Sequence, residues 1–292
     1  MASTSGWVRG YLRRLGIGEP GSPSIDGLVA LHRAHTERVA YENIDIFLGR
    51  PQGIDPAESI ERIIRGRGGY CFNLNGALAT LLEALGYRVC WHAGAVHPAG
   101  REPLPGEIRN HLAVTVQLDD ETWMVDAGLG DAHHEPMPLR SGDHRQGPFT
   151  LGLAPLPRVL GGWRFTHDPA LNHSRPEMDF TLSRLHWTDF TAKHTELSTD
   201  PGSPFVRVCQ LHRRDEQGAD SLIGCVLQRV EGPHGRTERE LSNQADWFDA
   251  AADVFGLRLD DLNSDDRDRF WQRLYTSHQA WLAEREHAVN AS

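Results

Sequence analysis

The sequence predicts a mixed α+β fold, because three kinds of pattern follow one another along the chain of 292 residues. In the first part, apolar residues recur at the spacing of amphipathic helices. From Val89 to about Leu197 they alternate with polar residues, and turns rich in Pro and Gly interrupt them, as in antiparallel strands. Beyond Pro204, strand-like segments precede two helices. We therefore expect helices first, then a mainly antiparallel β region, then an α/β region.

The first well-marked helix follows Asp55. Asp55 is suited to the N-cap, Pro56 to the first helical position and Glu58 to the capping-box position. Isoleucines then recur on one side until the helix ends at Arg65-Gly66. A glycine-rich turn then connects this helix to the next one.

A cysteine opens that next helix. Cys71 follows Gly68 and Gly69, and apolar residues recur at helical spacing until Gly86, a residue suited to stopping a helix. A thiol in the first helical turn meets unpaired backbone N–H groups and the positive end of the helix dipole, which favour the thiolate. The pattern predicts a nucleophile, and the competing interpretation is a small buried core residue.

A predicted hairpin supplies a base and an orienting carboxylate. The segment that begins at His111 alternates apolar and polar residues and predicts a strand, Asp119-Asp120 predicts a turn, and the residues up to Asp126 predict the returning strand. Antiparallel pairing would bring Asp126 beside His111. The order Cys71, His111, Asp126 is that of a papain- or transglutaminase-like cysteine triad. Because the chain contains 16 histidines, spacing alone is only moderately specific.

The last part of the chain predicts two strands and two helices. The strands are expected at 205–211 and 222–227, where apolar residues are dense. The helices are expected after Ser242 and Ser264, because serine is a favoured N-cap. No repeat or low-complexity linker separates these elements from the rest, so the parts are expected to pack as one body.

Composition restricts the class of partner. Thirty Lys and Arg against forty Asp and Glu give a net charge of −10, which disfavours nucleic acid as the main partner and gives no general attraction to anionic membranes. The N-terminus lacks a basic stretch followed by an apolar run, and no segment approaches the length of a membrane span. We therefore expect a cytoplasmic protein.

The other sulfur and histidine patterns do not indicate a metal or a redox site. Cys90, Cys209 and Cys225 form no Cys-x-x-Cys pair with one another or with Cys71, so we expect reduced thiols that fill the core. The segment His133-His134-Glu135 lacks the helical spacing of a zinc site, and we interpret it as a polar loop. The sequence predicts no metal.

Several segments resemble the arylamine N-acetyltransferase family. The likeness rests first on 67–75, on the strand that begins at His111 and on 125–130, which contain the three triad residues. Further matches follow the family's order along most of the chain: 11–16, 31–35, 41–45 and, more loosely, 198–205.

The resemblance implies an architecture and a reaction. The architecture has three parts: an N-terminal helical bundle at 1–88 carrying the cysteine, a central antiparallel β-barrel at 89–197 carrying the histidine and the aspartate, and a C-terminal α/β lid at 198–292. The reaction is ping-pong transfer of an acetyl group from acetyl-CoA, through a thioester on Cys71, to the amino group of an aromatic amine. The implied partners are therefore small molecules.

The resemblance also implies roles for individual residues. Cys71 would attack the thioester, His111 would act as base and Asp126 would orient His111. Backbone N–H groups at the start of the Cys71 helix would hold the oxyanion. Glu42 and Arg67 would form a structural ion pair. The residues implied in CoA binding are Gly128, Gly130 and Ser203. The residues implied in amine binding are Tyr41, Phe72, Leu129 and Phe205.

Three positions depart from the family pattern, and we expect them near the amine pocket. Tyr41 and Leu129 stand where the family usually has Phe, and Asn73 stands where it usually has Glu, so we expect a larger or more polar amine. Three alternative functions remain open. They are an amide synthase that takes its acyl chain from an acyl carrier protein, a papain-like hydrolase in which water resolves the acyl-enzyme, and a scaffold with an unreactive cysteine.

Overall fold

Short helices and one two-residue strand make up the first part of the chain. A computed structural model describes residues 5–171 and 176–290, with the backbone alone at 176 and 284–290. The first elements are α1 (Gly6–Leu15), α2 (Ile25–Arg38), β1 (Tyr41–Glu42), α3 (Ile44–Phe47), α4 (Pro56–Ile64) and α5 (Cys71–Ala84). The helical first part predicted from the apolar spacing is confirmed.

Helix α4 begins where its capping residues predict. The carboxylate of Asp55 accepts a hydrogen bond of 2.8 Å from the N–H of Ala57, and proline occupies the first helical position. The carboxylate of Glu58 lies beside Gly53, where an added Cβ would come within 2.9 Å of it. The helix ends before Gly66, which has a φ of +92° that glycine adopts without strain.

An eight-stranded antiparallel sheet forms the second part. Its strands are β2 (Arg88–Pro98), β3 (His111–Leu118), β4 (Glu121–Val125), β5 (Met137–Pro138), β6 (Gly142–Gln146), β7 (Phe149–Pro155), β8 (Gly162–Thr166) and β9 (Pro176–Thr181). They pair in the order β5-β4-β3-β2-β9-β8-β7-β6. Because only residues 139–141 separate the edge strands β5 and β6 along the chain, the sheet must curl until its edges approach. The result is a nearly closed barrel.

The strands β3 and β4 form the predicted hairpin. Val114 pairs with Val125 and Leu118 pairs with Glu121. Asp126 directly follows β4. It therefore lies beside the start of β3, where His111 stands.

A smaller sheet and the remaining helices complete the fold. Their elements are α6 (Thr191–Thr199), α7 (Pro204–Arg207), β10 (Gln210–Arg214), β11 (Ala219–Ile223), β12 (Val226–Val230), β13 (Arg236–Glu240), α8 (Gln244–Asp253) and α9 (Ser264–Asn290). The sheet order is β1-β10-β11-β12-β13, with antiparallel pairing throughout. Because β1 comes from the first part of the chain, this sheet attaches the last part directly to the segment that precedes Cys71.

The two strands predicted in the last part of the chain have the wrong bounds. The strand expected at 205–211 begins instead as α7, because the hydroxyl of Ser203 accepts a hydrogen bond from the N–H of Phe205 and caps a helical turn. The strand expected at 222–227 is divided by a turn at Gly224, which has a φ of +57°. Apolar density alone does not separate a strand from a short helix or a tight hairpin.

The last two helices begin near the expected positions, but asparagines cap them. Asn243 and Asn263 each accept a hydrogen bond of 2.9 Å from the backbone N–H three residues later. The predicted caps, Ser242 and Ser264, are each one residue away and do not fill that role.

A buried ion-pair network fixes the segment between β1 and α5. Arg67 Nη2 lies 3.4 Å from a carboxylate oxygen of Glu42 and 3.1 Å from one of Asp45, and Arg62 lies 2.6 Å from both carboxylates. Burial raises the pKa of Glu42, but the two arginines outweigh it and lower the pKa to about 2. The ion pair of Glu42 and Arg67 implied by the resemblance is therefore part of a larger network.

Three apolar clusters form the core of the described residues. The first lies between the helices and strands β2 and β3 and includes Cys71, the second lies between the smaller sheet and helices α8 and α9, and the third lies inside the barrel. The predicted division at residues 88 and 197 stays a prediction. Across residues 5–171 and 176–290, no helix is both long and apolar enough to cross a membrane.

Candidate active site

Cys71 is the first residue of α5, as the sequence predicts. The N-cap residue Tyr70 makes no side-chain hydrogen bond to the helix, so the first-turn N–H groups have no capping side chain. Cys71 Sγ lies 3.8 Å from the carbonyl oxygen of Asn110, which directly precedes His111. The thiol and the imidazole therefore lie at the same place, where the start of α5 meets the start of β3.

His111 and Asp126 form a buried pair. His111 Nε2 lies 2.7 Å from Asp126 Oδ2. Burial lowers the pKa of His111, but the charge and hydrogen bond of Asp126 and a hydrogen bond to Cys71 outweigh it and raise the pKa to about 10. At neutral pH the imidazole is therefore protonated. Since Asp126 is bound to Nε2, Nδ1 is the nitrogen that remains to form the hydrogen bond with Cys71.

Three donors hold the carboxylate of Asp126. Besides His111 on Oδ2, the side chain of Asn75 and the backbone N–H of Gly128 donate to Oδ1, at 2.9 Å and 2.8 Å. Burial raises the pKa of this carboxyl, but the charge and hydrogen bond of His111 first, then the charge of His133 and the hydrogen bond of Asn75, lower it below its ordinary value. Asp126 is therefore an ionised, fixed partner for the imidazole.

Asn75 connects the helix to the hairpin, a role that was not predicted from the sequence. Its Nδ2 donates to the carbonyl of Leu112 at 2.7 Å as well as to Asp126, and its Oδ1 accepts the N–H of Ala127 at 2.8 Å. The spacing could have revealed it, because residues four apart lie on the same helix face and Asn75 is four residues after Cys71.

The loop after Asp126 packs against the nucleophile. A Cβ at Gly128 would lie 2.8 Å from Cys71 Cα, and a Cβ at Gly130 would lie 3.0 Å from His212 Cβ. Gly130 also has a φ of +74°. Both positions therefore require glycine, whether or not the backbone also contacts CoA. Leu129 lies between them, half-buried against the barrel core.

Aromatic side chains surround the start of α5. Tyr70 is edge-on to Phe72 with ring centroids 5.2 Å apart and to Phe205 with centroids 5.3 Å apart, and its hydroxyl lies 2.5 Å from His194 Nδ1. Phe72 is buried in the helical core against Phe190, whereas Phe205 is only half-buried. Contact of Phe72 and Phe205 with the amine stays a prediction.

Ser203 uses its hydroxyl within the chain. It donates to the carbonyl of Leu197 at 2.5 Å and accepts the N–H of Phe205 at 3.3 Å. These bonds join α6 to α7. The predicted contact of Ser203 with CoA stays a prediction.

Asn73, which the sequence places near the amine pocket, makes its side-chain hydrogen bonds towards α4. Its position relative to a bound amine stays a prediction. Its Nδ2 donates to the carbonyl of Gly53 at 2.9 Å and to the hydroxyl of Ser59 at 3.0 Å. Residues two apart on a helix point to opposite sides, so Asn73 faces α4 while Cys71 faces the barrel. Its amide fixes the packing of the two helices.

A second buried pair of Asp and His lies at the other end of the loop and was not predicted from the sequence. His167 Nε2 lies 3.0 Å from Asp131 Oδ1. Burial opposes the charge on each side chain, but their mutual attraction raises the pKa of His167 and lowers that of Asp131. No sequence signal joins the two residues, because His167 follows β8 and Asp131 belongs to a loop.

The other histidines and cysteines that the sequence singles out lie in buried or half-buried positions. His133 and His134 are buried rather than part of an exposed polar loop, and His133 stacks on Phe165 with centroids 4.6 Å apart. Among the described residues, no three His, Cys, Asp or Glu side chains are grouped to hold a metal ion. Cys90 is half-buried, Cys209 and Cys225 are buried, and all are free thiols.

Comparison with known proteins identifies the family. The sequence model of the N-acetyltransferase family matches residues 24–264. The chain belongs to this family. The match covers most of this chain and confirms the family that the motifs indicated. The chain is therefore an acetyltransferase.

Individual relatives agree in sequence and in fold. The chain is 31% identical over 279 residues to the arylamine N-acetyltransferase of Mycolicibacterium smegmatis, an alignment covering 87% of this chain and 92% of the relative. The solved structure of the M. smegmatis arylamine N-acetyl transferase superposes with a TM-score of 0.80 at 27% identity, over 91% of this chain and 97% of that one. The structure of Mycobacterium marinum arylamine N-acetyltransferase in complex with CoA superposes with a TM-score of 0.81 at 25% identity, over 91% and 98%.

Proposed function

We propose that this acetyltransferase moves an acetyl group from acetyl-CoA to an aromatic amine by way of Cys71. The observation that carries the proposal is the meeting of three groups at one point. These are the Cys71 thiol at the start of α5, the His111 imidazole and the buried Asp126 carboxylate. The M. marinum relative binds CoA, and the M. smegmatis relative is named for arylamines, which favours this donor and this class of acceptor.

In the first half-reaction, the Cys71 thiolate attacks the thioester carbonyl of acetyl-CoA. The carbonyl oxygen becomes an oxyanion, which the first-turn N–H groups of α5 would stabilise. The bond to the CoA sulfur then breaks, the leaving thiolate takes the proton of His111, and CoA departs. Acetyl-Cys71 and a neutral imidazole remain.

In the second half-reaction, the amine attacks acetyl-Cys71. The neutral His111 takes the proton that the amine must lose, and the bond to Cys71 Sγ breaks. The product is an amide, and the thiolate and imidazolium are restored. Asp126 stabilises the imidazolium in the resting state and fixes which nitrogen faces Cys71.

The alternatives gain less support. An amide synthase would need an acyl carrier protein as donor, whereas the M. marinum relative is described with CoA itself. A hydrolase would use the same triad, but the relatives described above are named for acetyl transfer rather than hydrolysis. Location in the cytoplasm stays a prediction from the sequence.

Steady-state kinetics test the proposal. Initial rates measured against acetyl-CoA at several fixed amine concentrations should give parallel double-reciprocal lines, because CoA leaves before the amine enters. Intersecting lines would contradict the acyl-enzyme route. Acetate released without amine at the full rate would favour the hydrolase, and acylation by an acyl carrier protein but not by acetyl-CoA would favour the amide synthase.

A further inference from the structure

Tyr41 lies beside the segment that presents the nucleophile. Strand β1 forms a bridge between Tyr41 and Gly69, and the N–H of Glu42 donates to the carbonyl of Gly69 at 2.9 Å. Gly69 is two residues before Cys71. The other side of β1 pairs with β10, where the Tyr41 ring is edge-on to His212 with centroids 5.4 Å apart. The position of the phenol is therefore fixed from both sides.

The loop after Asp126 touches both Tyr41 and Cys71. A Cβ at Gly128 would lie 3.0 Å from Cys71 Cβ, and a Cβ at Gly130 would lie 3.3 Å from Tyr41 Cγ. Only Leu129 separates these two glycines. The phenol and the thiol are thus neighbours along one three-residue stretch of backbone.

The hydroxyl of Tyr41 is available to a ligand. Among the described residues it has no hydrogen-bond partner, whereas the hydroxyl of its neighbour Tyr70 is engaged with His194. Burial, followed by the charges of Cys71 and Asp131, raises the pKa of Tyr41 well above its ordinary value. The phenol therefore keeps its proton at neutral pH and can act only as a neutral donor or acceptor.

We propose that the Tyr41 hydroxyl donates a hydrogen bond to the carbonyl oxygen of the acetyl group while it is bound to Cys71. This role rests on the acyl-enzyme of the proposed function. Both half-reactions place negative charge on that oxygen, and a fixed donor in a buried site stabilises such charge more than water does. Tyr41 would then be a catalytic residue that acts with the first-turn N–H groups of α5.

The substitution Tyr41→Phe tests this role by separating carbonyl chemistry from thiol reactivity. Acylation by acetyl-CoA and deacylation by each amine should slow by a similar factor, roughly 10² for the loss of one oxyanion donor. Alkylation of Cys71 by iodoacetamide should keep its wild-type rate, because that displacement places no charge on a carbonyl oxygen. Tyr87→Phe is the matched control, since the Tyr87 hydroxyl bonds to Ser24 and its loss should leave all three rates unchanged.

A vibrational measurement gives a second readout. In acetyl-Cys71 made with carbonyl-labelled acetyl-CoA, the thioester C=O stretch should move to higher frequency in Tyr41→Phe, because a hydrogen bond to the oxygen weakens the C=O bond. An unchanged stretch together with unchanged acylation would overturn the role. Slowing confined to polar amines, with normal acylation, would overturn it too and would make Tyr41 an acceptor contact. Wild-type protein that takes up no acetyl group would overturn the proposed function, and the role of Tyr41 with it.

Discussion

Two buried aspartate and histidine pairs stand at the two ends of one loop, and only one of them belongs to the proposed triad. Asp126 and His111 are 2.7 Å apart, and Asp131 and His167 are 3.0 Å apart. In both pairs the histidine pKa is raised and the aspartate pKa is lowered by mutual attraction that exceeds the effect of burial. The two pairs therefore share the same residue types and the same directions of pKa shift.

They differ in what surrounds them. Asn75 and the N–H of Gly128 also hold the carboxylate of Asp126, and the imidazole of His111 meets a cysteine at a helix start. Neither His167 nor Asp131 has a hydrogen bond to a cysteine in the described parts of the chain. A buried Asp and His pair therefore does not by itself define a catalytic site. In the proposed site, the nucleophile and the second and third hydrogen bonds of the carboxylate make the difference.

The largest effect on turnover should come from Asp126→Asn, and the separate substitution Asp131→Asn is its matched control. Asp126→Asn should lower turnover about 10⁴-fold, because an amide favours the wrong imidazole tautomer and cannot stabilise the imidazolium. Asp131→Asn makes the same chemical change five positions away and should lower stability with little loss of turnover in the folded fraction. Turnover measured at equal folded concentration checks this. Equal losses in the two variants would show that both pairs serve the reaction.

Thiol alkylation extends the comparison to the cysteines. Cys71 should react with iodoacetamide before the other three thiols in the native protein, because it begins a helix and forms a hydrogen bond with His111, which can take its proton. Burial raises the pKa of Cys209 well above its ordinary value and that of Cys225 to about 12, so both should react slowly. Peptide mapping after short exposure measures the order. Faster labelling of Cys90 would contradict the assignment of the nucleophile.

Asn75→Ala should produce a smaller loss of turnover than Asp126→Asn. It removes the hydrogen bonds to Asp126, Leu112 and Ala127, and each hydrogen bond to a charged group is worth about 1.5–3 kcal/mol. Turnover should fall roughly tenfold or more, since about 1.4 kcal/mol corresponds to a factor of ten.

Asn73→Ala is the matched control for this substitution. It lies on the same helix and loses two hydrogen bonds on the opposite side, so it should lower the unfolding free energy while leaving turnover in the folded protein unchanged. If Asn73→Ala reduces turnover as much as Asn75→Ala, general loosening of α5 explains both effects.

The pH dependence of stability tests the charge state of the pair. The pKa of His111 is raised to about 10 in the folded protein, so its contribution is complete below the ordinary value of about 6.5 and is lost as the pH rises towards 10. The lowered pKa of Asp126 has the opposite sign, and its contribution is lost in acid.

Urea unfolding of the wild type and of the double variant His111→Gln/Asp126→Asn measures this contribution. The difference in unfolding free energy should be greatest from about pH 4 to 6.5 and smaller at pH 9. A difference that stays constant between pH 6 and pH 9 would show that His111 is neutral.

Leu129 lies between the two pairs along the chain, and its substitution should have the smallest effect on the reaction. If it forms part of the amine pocket, Leu129→Phe should shift preference from large or polar aryl amines towards small anilines, because a phenyl ring adds a stacking surface. Acylation by acetyl-CoA should be unchanged. Competition between paired amines gives the ratio of kcat/KM values, and an unchanged ratio would remove Leu129 from the pocket.

Residues marked by a local pattern could be predicted from the sequence. Cys71 stands at a helix start, His111 at a strand start and Asp126 at a strand end, and the structure places each there. The succession of helices, antiparallel strands and a final mixed region could be predicted for the same reason, since periodicity is a local property.

Tertiary contacts explain the features of the structure that the sequence did not predict. The pair of Asp131 and His167 depends on the curling of the barrel, which brings together positions 36 residues apart. The short helix α7 depends on the bonds of Ser203 within a segment whose composition favours a strand. Asn73 was expected near the amine pocket because it departs from the family pattern, and the sequence did not show that its position two residues after Cys71 directs its side chain to the other side of α5.

The most direct test of the account is to locate the acetyl group. Wild-type protein mixed briefly with acetyl-CoA in the absence of amine should gain one acetyl group in its intact mass, and peptide mapping should place it on Cys71. Asp131→Asn should gain it at a similar rate, Asp126→Asn far more slowly, and Cys71→Ser not at all. An acetyl group on another residue, or one still gained by Cys71→Ser, would contradict the central claim that Cys71 carries the acyl group.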